Sequence, residues 1–81
     1  MKLTKAEKKF IDYILNNFEL TEAEREAATR YYEIRDKYGK YDDAHLDKLY
    51  DAFYDCNRRK FRYWLKKLDT TEAEFDIYIS F

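Results

Sequence analysis

The chain has no proline, one glycine, and a single residue each of cysteine, histidine, tryptophan and methionine. With no proline, and Gly39 as the only glycine, no flexible linker or second domain is visible, which predicts one helical domain over residues 1–81. A lone glycine also cannot build the glycine-rich loop that cradles a phosphate. Cys56 has no partner for an internal disulfide and fits a reducing compartment. His45 and Cys56 stand eleven residues apart, about three turns of one helix, so they cannot share a metal or form a nucleophile–base pair. No apolar run approaches the ~20 residues of a membrane span, and no apolar stretch follows the charged start Met1-Lys2-Leu3-Thr4-Lys5. These absences predict no targeting segment and a cytoplasmic location. No P-loop, dinucleotide fingerprint, zinc-protease motif or nucleophile elbow occurs, so the chain reads as a non-enzyme with no catalytic residue, no cofactor and no metal site.

Charge and aromatic rings fill the space these absences leave. Charged residues make up 41% of the chain and aromatic residues 20%, with nine Tyr and six Phe. Mean hydropathy is −0.91, low enough for disorder, but the rings and their helical spacing supply the apolar area that an ordered core needs. Net charge is −1, so the total predicts no attraction to nucleic acid or membrane. The distribution is uneven. Residues 42–56 carry five acids and one base, whereas residues 57–69 carry six bases and one acid.

Three stretches read T-x-A-E: Thr4 to Glu7, Thr21 to Glu24 and Thr71 to Glu74. This is the capping-box pattern, in which Thr accepts from the third backbone N–H on and Glu reaches back to the Thr N–H, so each marks a helix start. After the first, Phe10, Ile14 and Phe18 fall on one face, predicting a helix over about 4–18. After the second, Ala23, Ala27, Tyr31, Ile34 and Tyr38 do the same over 21–38, and Gly39 is the expected left-handed stop. From Asp43 to Leu68 no breaker intervenes, which predicts one long third helix over 43–68, overhanging the others and leaving Trp64 to be covered by the tail or a partner. Residues 71–81 start with a box and then alternate like a strand, so a short helix or an extended tail is expected. The fold class is therefore all-α, a small three-helix bundle.

On that third helix Arg58, Arg59, Arg62 and Lys66 share a face with Tyr63 close by, a combination able to grip an acidic protein surface or phosphates. The plain alternative is a solvated face whose charge suits the helix dipole. Asp43, Asp47, Asp51 and Asp55 form an i,i+4 ladder of like charges that repel one another, which fits either a basic partner or simple solubility. Tyr31, Tyr38, Tyr50 and Tyr54 sit on or beside apolar stripes and read as core, whereas Tyr32 and Tyr63 project away and read as interface or ordinary surface.

Short length, absent cofactor motifs and a Lys/Tyr/Asp/Phe-rich composition give the chain a general resemblance to small proteins of AT-rich bacterial phages and mobile elements, many of which bind and block a host protein, the anti-CRISPR inhibitors among them. No motif carries the likeness, and it transfers no site. The expectation is a non-catalytic module that binds a protein through Arg58, Arg59, Arg62, Tyr63 and Lys66, and secondarily through Asp47, Asp51, Asp55 and Tyr32. The alternatives are a nucleic-acid-associated regulator using the same basic face and a structural homodimer that pairs the acidic and basic halves.

Overall fold

A computed structural model describes residues 2–81. It contains α1 (Lys5–Asn17), α2 (Glu22–Thr29), α3 (Tyr31–Gly39), α4 (Asp43–Tyr54), α5 (Arg58–Lys67) and α6 (Glu72–Ser80), with no strand among the described residues. The first two boxes close in both directions. Thr4 Oγ1 accepts from the Glu7 N–H at 3.1 Å while Glu7 Oε1 accepts from the Thr4 N–H at 2.8 Å, and Thr21 and Glu24 do the same at 3.1 Å each. α1 matches the expected first helix and buries Ile11 and Ile14.

The chain is all-helical, but it is not a three-helix bundle. The expected helix over 21–38 is two helices. Thr29 Oγ1 donates to the Glu26 carbonyl at 2.6 Å, and Arg30 leaves helical geometry at φ −108°, ψ 24°. A hydroxyl competing for a backbone carbonyl loosens a helix at that point. The Arg30 carbonyl then accepts from the Ile34 N–H at 2.9 Å, so α3 follows without a loop.

The long third helix over 43–68 is also two. Cys56 adopts φ 55°, its N–H reaches the Phe53 carbonyl at 3.2 Å, and the Asn57 N–H reaches the Ala52 carbonyl at 2.9 Å. These are the two bonds of a Schellman stop, with cysteine at the position glycine usually fills. Asn57 Oδ1 then accepts from the Lys60 N–H at 3.1 Å and caps α5. α5 ends the same way at Asp69 (φ 55°), with the Thr70 N–H on the Leu65 carbonyl at 2.9 Å. A side chain in the left-handed region costs about 1–2 kcal/mol. Folding back offsets that cost, because a straight rod would leave half its apolar stripe in water. Gly39 is not the expected left-handed stop. It lies within α3, no described glycine has positive φ, and the helix closes at Lys40 in right-handed geometry.

α4 and α5 therefore form an antiparallel hairpin. The Phe53 and Phe61 rings meet at 5.7 Å near the turn, and His45 and Trp64 at 5.4 Å at the open end. His45 thus does the covering that Trp64 was expected to need from the tail or a partner. Cys56 sits exposed in the turn and does not share one helix with His45.

The segment 71–81 is helical, and it occupies the centre of the fold. Glu74, Phe75 and Ile77 of α6 are buried, and Ala73, Asp76 and Tyr78 are half-buried. A helix apolar around most of its circumference packs on several sides, which is why its pattern fits no single amphipathic period. α2 and α3 pack on one side of it, and α1 packs on α2. On the other side the Phe75 ring lies 5.1 Å from Phe53, 5.3 Å from Phe61 and 5.7 Å from Tyr50.

Candidate protein-interaction site

The most concentrated polar chemistry in the molecule surrounds Glu74. Its Oε2 accepts from Arg30 Nη1 at 3.1 Å, and its Oε1 from the Thr70 hydroxyl at 2.9 Å and Lys37 Nζ at 3.3 Å. Tyr38 Oη and Thr70 Oγ1 share a hydrogen at 2.8 Å, and Lys37 also reaches the Asp69 carbonyl. Burial alone pushes the Glu74 carboxyl up, but the Thr70 hydroxyl and the two cations outweigh it and hold the pKa below its ordinary value. Burial raises Tyr38 well above its ordinary value. Every oxygen of Glu74 is taken, and no described buried side-chain polar atom lacks a partner. The cluster has the character of a lock between α2, α3 and α6, with no free base to act on a substrate. It also explains why the third T-x-A-E box closes in one direction only. Thr71 Oγ1 accepts from the Glu74 N–H at 3.2 Å, but the carboxylate turns inward.

The residues expected to bind a partner are split by the break at Cys56. Arg58 turns toward α6 and makes two bonds of 3.1 Å to the Glu72 carboxylate, lowering that group's pKa. Arg59, Arg62 and Lys66 are exposed on the outside of α5, and Tyr63 leans edge-on against Trp64 at 5.4 Å. Asp47, Asp51 and Asp55 are exposed on the outside of α4. The fold brings Asp51, Asp55 and Tyr63 to one seam of about 440 Å³ between the two helices, where Lys48 and Lys60 stand beside the two acids and Ala52, Asn57 and Trp64 complete the lining. Tyr32 is apart from all of them. It does not project freely but is half-buried, packed at 5.0 Å on Tyr31 and 6.5 Å on Phe10. Tyr54, expected in the core, is 72% exposed.

Tyr54 belongs to a groove that the residue pattern did not reveal. About 510 Å³ opens between α3, α4 and α6, lined by Arg35, Tyr50, Tyr54, Tyr78, Ile79 and Phe81. Tyr50 and Tyr54 stack one turn apart at 6.3 Å. Burial, then the neighbouring Tyr78, pushes the Tyr50 hydroxyl up to about 12, so it stays neutral at ordinary pH. Arg35 Nη1 donates to Tyr31 Oη at 2.9 Å, and Tyr31 Oη donates to the Phe81 carbonyl at 2.8 Å, which fixes one wall. Past Phe81 the apolar surface continues through Phe18 at 4.9 Å to Tyr13 at 6.0 Å beyond it. Among the described residues the large exposed apolar side chains are Tyr13, Phe18, Tyr54, Tyr63 and Ile79, and all but Tyr63 lie on this strip. The only sequence signal for it was the alternation of Ile77, Ile79 and Phe81, which pointed to a strand.

No family model matches the chain, and no curated protein or solved structure does either. A functional reading therefore stands on the site's own chemistry.

Proposed function

We propose that this protein is a non-catalytic interaction module that docks a protein partner on the aromatic groove around Arg35, and that it acts by covering the surface it binds. The observation that carries this reading is the gathering of Tyr54, Ile79, Phe18 and Tyr13 into one exposed strip joined through Phe81. Contiguous exposed apolar surface marks an interaction site, whereas scattered apolar side chains do not. Tyr and Arg are the residues most enriched where binding energy concentrates. Arg35 makes no ion pair with another described residue, which leaves its remaining N–H groups free for a partner's carboxylate or carbonyl.

The long basic rod first expected to bind does not exist as one element, so the contact surface moves from α5 to the groove. The lack of enzyme motifs and the complete saturation of Glu74 support a non-catalytic role. The test is affinity capture from the source organism with wild type, with Tyr54→Ala/Ile79→Ser, and with Arg59→Glu/Lys66→Glu. The groove variant should lose a partner that wild type and the α5 variant both retain, with unchanged circular dichroism. Capture that survives the groove change refutes the proposal.

A further inference from the structure

We infer that the outer face of α5 is a binding strip for single-stranded nucleic acid, on which Arg59, Arg62 and Lys66 meet successive phosphates and Tyr63 stacks on a base. This goes beyond the groove reading and uses none of its residues.

The strip follows from the composition of α5. Six of its ten residues are bases and none is an acid. Phe61 and Leu65 are its buried side chains, and at about 100° per residue the opposite side of the helix carries Arg59, Arg62, Tyr63, Lys66 and Lys67, all of them exposed. The turn at Cys56 sends the aspartate ladder onto a separate helix, so no acid interrupts the strip.

The cations of the strip are not spent inside the molecule. Arg58 pairs with Glu72, but Arg59, Arg62, Lys66 and Lys67 make no ion pair within 4.0 Å of another described residue. Arg62, at the α6 edge, lies close enough to Glu72 to help hold that carboxylate low, yet makes no bond to it. Lys67 rests over the Tyr63 and Trp64 rings at 5.8 and 5.7 Å. Tyr63 is 55% exposed, so a ring stands amid four cations.

Two features select a single strand among polyanions. The ring is one, because a nucleobase has a flat face to stack on Tyr63 and a carboxylate has none. The width is the other. On its α4 side the strip gives way at Tyr63 to the seam that holds Asp51 and Asp55, with Lys48 and Lys60 beside them. A duplex lays two charged strands across a surface and would bring one of them over these acids, whereas a single strand follows α5 alone. From Arg59 to Lys66 the helix rises about 10 Å, and a stacked strand carries one phosphate per ~3.4 Å, so the three cations meet about three phosphates. The net charge of −1 does not oppose this, because charges more than about 10 Å away are screened at about 0.1 M salt.

Fluorescence anisotropy of the full chain with a labelled oligothymidylate about 12 nucleotides long tests this. The oligonucleotide should bind at about 50 mM salt, and the logarithm of its affinity should fall against the logarithm of salt with a slope of about −2, as three phosphates on a single strand require. Arg59→Glu/Lys66→Glu should lose detectable binding with unchanged circular dichroism. Tyr63→Ala should weaken binding about tenfold and leave the salt slope unchanged, and Tyr63→Phe should retain it. The groove variant Tyr54→Ala/Ile79→Ser should bind the oligonucleotide as wild type does, which separates this inference from the groove reading. Wild type that fails to bind at about 50 mM salt overturns the inference, as does binding that survives Arg59→Glu/Lys66→Glu. Tyr63→Ala without effect, or polyglutamate that competes as well as the oligonucleotide, also overturns it and assigns the strip to an acidic protein surface. Tighter binding of a duplex of the same length overturns the choice of a single strand.

Discussion

Glu74 and Phe75 are neighbours in the chain, yet they tie α6 to opposite halves of the molecule by opposite physics. Glu74 holds α2 and α3 through directed, charge-assisted bonds from Arg30 and Lys37, with Thr70 completing the set. Phe75 holds α4 and α5 through edge-to-face and tilted contacts with three rings and no polar atom. The polar side depends on geometry and protonation, because a carboxylate enters a core only when its oxygens are satisfied. The ring side depends on filled volume, because an aromatic core tolerates slight shifts but not a void. A chain this short has little interior, and using both kinds of joint lets one central helix serve two halves.

Substitutions should break the two sides unequally. Phe75→Ala empties the point where Tyr50, Phe53 and Phe61 converge and should cost about 3–5 kcal/mol by urea unfolding, enough to threaten the fold. Glu74→Gln keeps the shape but removes the charge that Arg30 and Lys37 meet, and should cost about 2 kcal/mol. The smaller loss on the polar side follows from Arg30 and Lys37 being 43% and 34% exposed, so that water can take over part of their solvation.

Acid pH should test the Glu74 carboxylate of the polar side. The folded pKa of Glu74 lies below its ordinary 4.5, so its contribution is complete above that pH and is lost as pH falls through the lower folded value. Glu74→Gln should flatten this acid limb of a stability–pH profile. The folded pKa of Tyr50, beside Phe75, is raised from 10.0 to about 12, so its contribution is complete below pH 10 and is lost as pH climbs toward 12. Tyr50→Phe should flatten part of the alkaline limb, with Tyr38 of the Glu74 cluster carrying another part, and should leave the acid limb alone.

At the hairpin turn the effect should be small and favourable. Cys56→Gly relieves a Cβ in left-handed backbone and should stabilise by about 1 kcal/mol, read as a rise in melting temperature. Tyr54→Ala, on the groove rim, should change stability by less than about 0.5 kcal/mol, which keeps its effect on binding separable from folding.

Local signals were legible where the determinants are local. The boxes at Thr4 and Thr21 predicted starts that form as written, and the stripe of Phe10, Ile14 and Phe18 placed Ile14 on the inner face of α1 but missed that Phe18, its C-cap, is exposed. The inner stops were hidden. Cys56 takes the left-handed position without being glycine, and no proline marks the turn, so a search for breakers reads straight through to Asp69, where the second of the two helices does end. Residues 71–81, a helix as one of the two expected forms, stayed open between helix and extended tail for a different reason. A helix packed on two sides shows no polar face, and the alternating remainder imitates a strand. The inward turn of Glu74 depends on Arg30 and Lys37, 44 and 37 residues away, and no local pattern encodes that. For the candidate site, the acidic and basic blocks were visible as composition, but their division between two helices follows from the turn at Cys56. The groove around Arg35 needed α3, α4 and α6 in place together.

Native-state hydrogen exchange of α6 tests the central claim most directly, because α6 both joins the two halves and walls the groove. The backbone amides of Ile77 and Tyr78 should exchange among the slowest in the protein, at the rate set by global unfolding. If they exchange as fast as the exposed turn at Cys56, then α6 is a frayed tail, and the two-sided joint and the groove built on it are both wrong.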